Sequence, residues 1–296
     1  MFQGVYTAIV TPFRADGTVD YDCLRALVGR QREAGVAGIV PVGTTGESPS
    51  LSYEEHIKVI ETVVEACGVG KVCCKDRPMV IAGTGANSTS EALELTQQAK
   101  AVGADATLQV TPYYNKPSQE GLYRHFMEVA EKGGLPVVLY NVPGRTSKEI
   151  AVDTVARLAP HERIVAVKEA AGSVDRVSQI RDVCDITVLS GDDALTLPMM
   201  SVGASGVISV AANVIPKVMV ELVAAALAGR WDEARTLHTC YYRVMTGFFL
   251  DTNPVPVKTA LALLGLCEEV FRLPLCPMDP SLRERLHAIL EKSGVI

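Results

Sequence analysis

Lys168 closes an apolar run, Ile164-Val165-Ala166-Val167-Lys168-Glu169-Ala170. Such a run reads as a strand buried on both faces, the kind found in parallel sheets. An ammonium is costly to bury, so a lysine drawn into such a place is biased toward its neutral amine. A neutral amine attacks carbonyl carbons and forms Schiff bases. The bland alternative is a lysine whose head snorkels out at the strand end. Its company elsewhere in the chain has to decide between the two.

Several other apolar runs also end in polar chemistry. Gly43-Thr44-Thr45-Gly46-Glu47 offers close backbone approach, consecutive amides and two hydroxyl donors, which suits a small carboxylate. A glycine-rich turn with capping threonines is its plain alternative. Tyr140, at the end of another run, can relay protons during imine formation and collapse. It can equally be an amphipathic core tyrosine. Arg145 follows in a Pro-Gly turn, where a guanidinium can grip a carboxylate in two-pronged fashion or simply be solvated. Tyr113 and Tyr114 are adjacent aromatics in a loop, a placement that favours an interface. Asp192 and Asp193 lack histidine partners and read as capping and loop groups. The histidines at 56, 125, 161, 238 and 287 show no ligand spacing, so no metal site is expected.

What positions these residues is a recurring unit. Eight short apolar runs each precede a helix-like stretch: Val5–Thr11, Gly38–Val42, Met79–Ala82, Ala106–Val110, Val137–Tyr140, Ile164–Val167, Ile186–Leu189 and Gly206–Val210. Alternation of this kind implies right-handed βαβ units and a parallel sheet. Eight units close into a (β/α)8 TIM barrel, with polar chemistry gathered where strands end. An open doubly wound sheet is the alternative, but Thr11-Pro12-Phe13 after the first strand is not its glycine-rich nucleotide turn. Helical patterns then follow at Pro216–Ala228, Trp231–Leu250, Val255–Leu264 and Pro280–Ser293. One barrel helix cannot use them all. The expected organisation is therefore a barrel over residues 1–230 and a C-terminal helical region over 231–296 packed against it. The segment Cys67–Arg77 lengthens a helix-to-strand connection, on the face opposite to catalysis.

The net charge of -6 argues against nucleic acid as a partner, though a local cation can still hold an anion. No apolar stretch is long enough to span a bilayer, and the N-terminal residues lack a signal-peptide pattern, so a cytoplasmic protein is expected. The eight cysteines form no CxxC pair and read as reduced thiols, with Cys73-Cys74 in a polar stretch open to oxidation.

The motifs GTTGE (43–47), TPYYNKPSQEGLY (111–123), YNVPGRT (140–146), VKEA (167–170), LSGDD (189–193), GVISV (206–210) and NPVPVK (253–258) together resemble the dihydrodipicolinate synthase family. That family lies within the pyruvate-dependent aldolase and lyase group that includes N-acetylneuraminate lyase. The resemblance covers essentially the whole chain. It implies a carbon–oxygen lyase of lysine and diaminopimelate biosynthesis, condensing pyruvate with L-aspartate 4-semialdehyde. Lys168 would carry the pyruvate imine, and Tyr140, Thr44 and Tyr114 would relay protons, Tyr114 reaching in from a neighbouring subunit. Thr45 would hold the pyruvate carboxylate, Arg145 the carboxylate of the aldehyde, and Gly191 and Ile208 would give backbone contacts near the imine. The imine nitrogen is the electron sink, so no cofactor is implied. A homo-oligomer is implied as well, either a homodimer or a homotetramer built as a dimer of dimers.

The resemblance further suggests a lysine-effector site at Ser48, His56, Asn87, Glu91 and Tyr113, with Tyr53 and Pro49 departing from the common pattern. Two other readings stand beside the synthase. A sugar-acid lyase would keep the imine and change the aldehyde, and Arg145 is the feature against it. A non-catalytic sensor barrel would not need Lys168, Tyr140, Thr44 and Tyr114 together.

Overall fold

The computed structural model describes residues 2–68 and 77–296; Cys73, Cys74 and most of the Cys67–Arg77 segment lie outside them. Eight parallel strands close a barrel in sequence order. They are β1 Gly4–Ala8, β2 Gly38–Val40, β3 Met79–Gly83, β4 Ala106–Val110, β5 Val137–Asn141, β6 Ile164–Glu169, β7 Thr187–Ser190 and β8 Gly206–Ser209. The helices are α1 Tyr21–Ala34, α2 Tyr53–Cys67, α3 Thr89–Ala101, α4 Gln119–Lys132, the single turn α5 Pro143–Thr146, α6 Val152–Leu158, α7 Asp175–Val183, α8 Thr196–Ser201 and α9 Pro216–Leu227. Three more follow: α10 Trp231–Gly247, α11 Val255–Leu263 and α12 Pro280–Lys292. The eight-unit barrel expected from the apolar runs is the observed fold.

Strand alternation divides the core into two shells. Val5, Ile39, Val80, Val137, Leu139, Val167 and Val188 point outward and pack beneath the helices. Tyr6, Val40, Ile81, Leu108, Val138, Tyr140, Ala166, Leu189 and Ile208 point inward and fill the barrel. Lys168 lies two residues beyond Ala166 and Tyr140 two beyond Val138, so both belong to the inner shell by period alone. The ladder places them side by side, with Tyr140 paired to Lys168 across β5 and β6.

The first strand is shorter than the apolar run Val5–Thr11 suggests. Beyond Ala8 the Val10 amide donates to Asn213 Oδ1 (3.1 Å) instead of to a neighbouring strand. A side chain from the turn after β8 thus ends the ladder and redirects the chain. Helix ends follow local chemistry. Ser52 and Glu55 form a reciprocal capping box at α2, and Gly68 closes that helix in the left-handed region. Ser118 caps α4 through the Gly121 amide. The C-terminal helices join the outer core through Val244, Met245, Phe248, Val257, Leu261, Leu286 and Leu290. No helix among the described residues is long and apolar enough to cross a membrane.

Candidate active site

The C-terminal ends of the strands converge on a cavity of about 130 Å³ lined by Thr44, Thr45, Tyr140, Arg145, Lys168 and Gly191, with Asn253 and Phe249 from the C-terminal region. Lys168 is 6% exposed, and its Nζ sits 4.2 Å from the centre of the Tyr140 ring. Among the described residues it has neither a hydrogen-bond nor an ion-pair partner. An aromatic face holds the lysine head by its ring electrons and offers it no lone-pair acceptor. The amine is therefore held but not occupied.

The strand end beneath it is fixed by an internal polar network. Glu169 is fully buried and accepts from Asn141 Nδ2 (2.9 and 3.0 Å), the Ala171 amide (2.8 Å) and Arg176 Nε (3.1 Å). Arg176 also donates to Ile150 O (2.8 Å) and pairs with Glu149. Every strong donor faces an acceptor, so a buried carboxylate here rigidifies the end of β6 instead of straining it.

Gly191 is a steric requirement. A Cβ there would stand 2.6 Å from the Ala170 Cβ and 3.0 Å from Lys168 Cε. Only a residue without a side chain lets β7 pass this close to the lysine stem.

The loop after β2 carries the hydroxyls. Val42 has φ +48°, a left-handed conformation that a β-branched residue adopts only under constraint. It turns the chain so that Thr44–Gly46 forms a short 3-10 turn over the barrel mouth. Glu47 behind it, also left-handed, is buried and ion-paired at 2.6 Å with the fully buried Lys258 of α11. Asn253 Nδ2 donates to Thr45 Oγ1 at 3.0 Å. Arg145, on the turn α5, is exposed at the rim and donates from Nη2 to Asn253 O at 3.2 Å.

Asp193 serves structure, as its sequence context suggested. It accepts from Ser209 Oγ and from the Val210 and Ala211 amides, capping the turn after β8. Burial pushes its carboxyl up to about 6 despite those donors. Asp192 caps the next turn through the Ala194 and Leu195 amides.

Two of the sequence-derived site residues lie outside this group. Ile208 is buried in the inner shell, and Val210 rather than Ile208 lines the cavity. Tyr114 is 91% exposed and lines neither this cavity nor its neighbour. That neighbour, about 230 Å³, shares Gly43, Thr44, Tyr140, Val142 and Arg145 with the first and adds Ser48, Pro49, Gly83 and Tyr113. On its flank His56 hydrogen-bonds Gly83 O (2.9 Å) and Ser48 Oγ (3.4 Å). Burial pushes the His56 imidazole down to about 4, so it is neutral near pH 7. It then donates to the carbonyl and accepts from the serine. Asn87 Nδ2 donates to Tyr113 O (3.2 Å), and Glu91 lies near enough to Tyr113 and Tyr53 to raise both phenols, after burial as the main cause.

Reading the residues one by one passed over Asn253, Lys258, Glu169 and Arg176. Lys258 did carry a signal, a lysine within the apolar stretch Val255–Leu263, which is the same mark that drew attention to Lys168.

Comparison with known proteins agrees with this geometry. The model of the dihydrodipicolinate synthetase family matches residues 1–293. The 4-hydroxy-tetrahydrodipicolinate synthase of Pelobacter propionicus is 52% identical over the whole of both chains, and that of Thermodesulfovibrio yellowstonii 51% over the same extent. Among solved structures, the dihydrodipicolinate synthase of Aquifex aeolicus superposes with a TM-score of 0.94 at 48% identity, covering 99% of each chain. The chloride-inhibited enzyme of Acinetobacter baumannii, solved with pyruvate, gives 0.95 at 46% identity with full coverage of both chains. With the family model matched almost end to end and relatives above half identity, the chain belongs to the dihydrodipicolinate synthetase family.

Proposed function

We propose that this chain is a cytoplasmic lyase that condenses pyruvate with L-aspartate 4-semialdehyde to 4-hydroxy-tetrahydrodipicolinate, through an imine on Lys168. The observation that carries the proposal is a buried lysine amine with no polar partner among the described residues, facing a cavity ringed by two threonines and an arginine. The Lys168 amine attacks the ketone carbon of pyruvate, and water leaves as the imine forms. Thr45 and the neighbouring amides hold the pyruvate carboxylate. The iminium draws electrons as a methyl proton is lost, giving an enamine, so the nitrogen itself is the electron sink and no metal is needed. The enamine carbon attacks the aldehyde carbon. The amino group of the adduct then attacks the imine carbon, closes the ring and releases Lys168.

Tyr140 moves the protons, being the residue paired with Lys168 across the ladder. Thr44 and the Tyr114 of a second copy complete the relay, an assignment supported by the exposure of Tyr114 and by the gap beside Thr44 that a phenol ring would fill. The active form is then a homo-oligomer built from tight dimers. Arg145 at the rim takes the carboxylate of the aldehyde. Gly191 and Ile208 give backbone contacts near the imine. Ser48, His56, Asn87, Glu91 and Tyr113 would form an effector site for free lysine, in which Glu91 faces the ligand's ammonium. A lysine titration that leaves the rate unchanged at high millimolar concentration would remove that part of the proposal.

Borohydride reduction in the presence of pyruvate, followed by peptide mass mapping, tests the central step. The expected result is a reduced pyruvate adduct on Lys168. Absence of an adduct, or an adduct elsewhere, overturns the reading.

A further inference from the structure

The helical region after the barrel sends Phe249 and Asn253 into the cavity, and Asn253 bonds to both Thr45 and Arg145. Asn253 is 6% exposed and precedes α11. Its side-chain Nδ2 donates to Thr45 Oγ1 (3.0 Å), while its backbone carbonyl accepts from Arg145 Nη2 (3.2 Å). Thr45 and Arg145 stand on loops after different strands, and among the described residues no hydrogen bond joins them directly. Asn253 is the link. The same segment grips the Thr45 loop a second time, through Lys258 and Glu47.

The direction of the Asn253–Thr45 bond matters. A threonine hydroxyl has one proton and two lone pairs. An N–H donor fills a lone pair and leaves the proton to be given elsewhere. Thr45 lines the cavity, so its proton is left to donate to an anion bound there. An acceptor in place of the amide N–H would take that proton away.

We infer that Asn253 is a positioning residue that orients the Thr45 hydroxyl as a donor to the pyruvate carboxylate, while its backbone alone serves Arg145. The inference rests on the reading of this cavity as the pyruvate site. It separates the two substrates: changing the side chain disturbs pyruvate and leaves the aldehyde end intact.

A mutant cycle with Asn253→Ala, Thr45→Val and the double variant tests it. Loss of one ordinary hydrogen bond corresponds to a factor of about three to ten. Asn253→Ala is expected to raise the pyruvate KM by about that factor and to leave the aldehyde KM within about twofold. Borohydride trapping on Lys168 at saturating pyruvate should keep its wild-type stoichiometry. Thr45→Val should raise the pyruvate KM as well, and adding Asn253→Ala to it should do nothing further. Additive effects, or equal rises in both KM values, overturn the inference. So does a variant whose only changes are a lower trapped fraction and a lower thermal midpoint, since that describes a purely structural residue. Asn253→Leu keeps the side-chain volume without the N–H and carries the same cycle if the alanine variant does not accumulate. Wild-type protein that traps no pyruvate sinks the parent reading; full trapping with an additive cycle sinks only the role of Asn253.

Discussion

Lys258 lies in the first turn of α11 with no exposed surface; Lys168, next to the last residue of β6, is almost as deeply buried. The two side chains share an aromatic contact and differ in their polar partners. Lys258 donates to Glu47 Oε1 (2.6 Å) and to Val270 O (2.7 Å), and it stacks over Phe13 (4.1 Å) and Phe271 (5.1 Å). Burial pushes its pKa down, and Glu47 pulls it back toward the charged form. Lys168 has the Tyr140 face at 4.2 Å, no acceptor among the described residues, and a cavity in front of it. Burial is common to both, so burial is not what makes a lysine a nucleophile. The difference lies in what remains unspent: Lys258 has committed its donors to Glu47 and Val270, whereas Lys168 faces the cavity with no acceptor among the described residues.

The sharpest way to break this contrast is to remove each lysine in turn. Lys168→Ala should lower kcat/KM by at least about a thousandfold and abolish borohydride trapping, with little change in the denaturation midpoint. Retained trapping elsewhere on the chain would erase the distinction. Lys258→Met should do the reverse. It leaves Glu47 charged, buried and unpaired, a change that costs about 3–5 kcal/mol. Urea unfolding should show that loss, while the protein that remains folded still traps pyruvate on Lys168. Pairing it with Glu47→Gln should recover much of the stability. A double variant as unstable as the single one would mean that Lys258 acts through its aromatic contacts, not through the ion pair.

A third test extends the contrast from lysine to histidine. His56 is buried without a charged partner, holding only Gly83 O and Ser48 Oγ. Its folded pKa of about 4 lies below the 6.5 of an unconstrained imidazole. Between those values the unfolded chain binds a proton that the folded chain refuses. Stability is therefore complete above pH 6.5 and drains away as pH falls toward 4, by up to about 3 kcal/mol from this group. His125, lowered to about 4 by burial, adds a slope of the same sign. Denaturation curves at pH 7 and pH 5 should converge for His56→Gln relative to wild type. Equal pH slopes in the two proteins would show that His56 titrates normally when folded.

The legible part of this molecule and the hidden part differ for a physical reason. The barrel could be read because each strand writes its own apolar run, and period two then assigns Lys168 and Tyr140 to one shell. The loop residues Thr44, Thr45 and Arg145 could be read because strand ends are where such barrels keep chemistry. Asn253 could not, because its bond to Thr45 joins positions 208 residues apart and leaves no local mark at either. Glu47 was seen as part of a glycine-rich turn, yet its partner Lys258 lies 211 residues away. Ile208 stands near the imine by resemblance alone; it lies in the inner shell, and the cavity lining includes Val210. Long-range polar pairing is decided by closure of the whole fold, so local pattern is silent about it.

Gly191 gives the smallest and most local test, since it concerns only the space around the Lys168 stem. A methyl group at 191 would meet the Ala170 Cβ at 2.6 Å and Lys168 Cε at 3.0 Å. The strand cannot yield much, because the Gly191 amide is tied to Glu169 O at 2.7 Å. The 2.6 Å contact forces the chain at Ala170 to shift, and the lysine stem two residues before it shifts as well, carrying the amine away from the Tyr140 ring. Gly191→Ala should then slow imine formation by about tenfold, the scale expected for a sub-ångström displacement of a reacting group. Single-turnover trapping with pyruvate measures that step directly. The final adduct yield should match wild type, because the lysine is displaced but still unpartnered. A variant that traps at the wild-type rate would mean that β7 shifts instead, and that Lys168 is positioned by the Glu169 network alone.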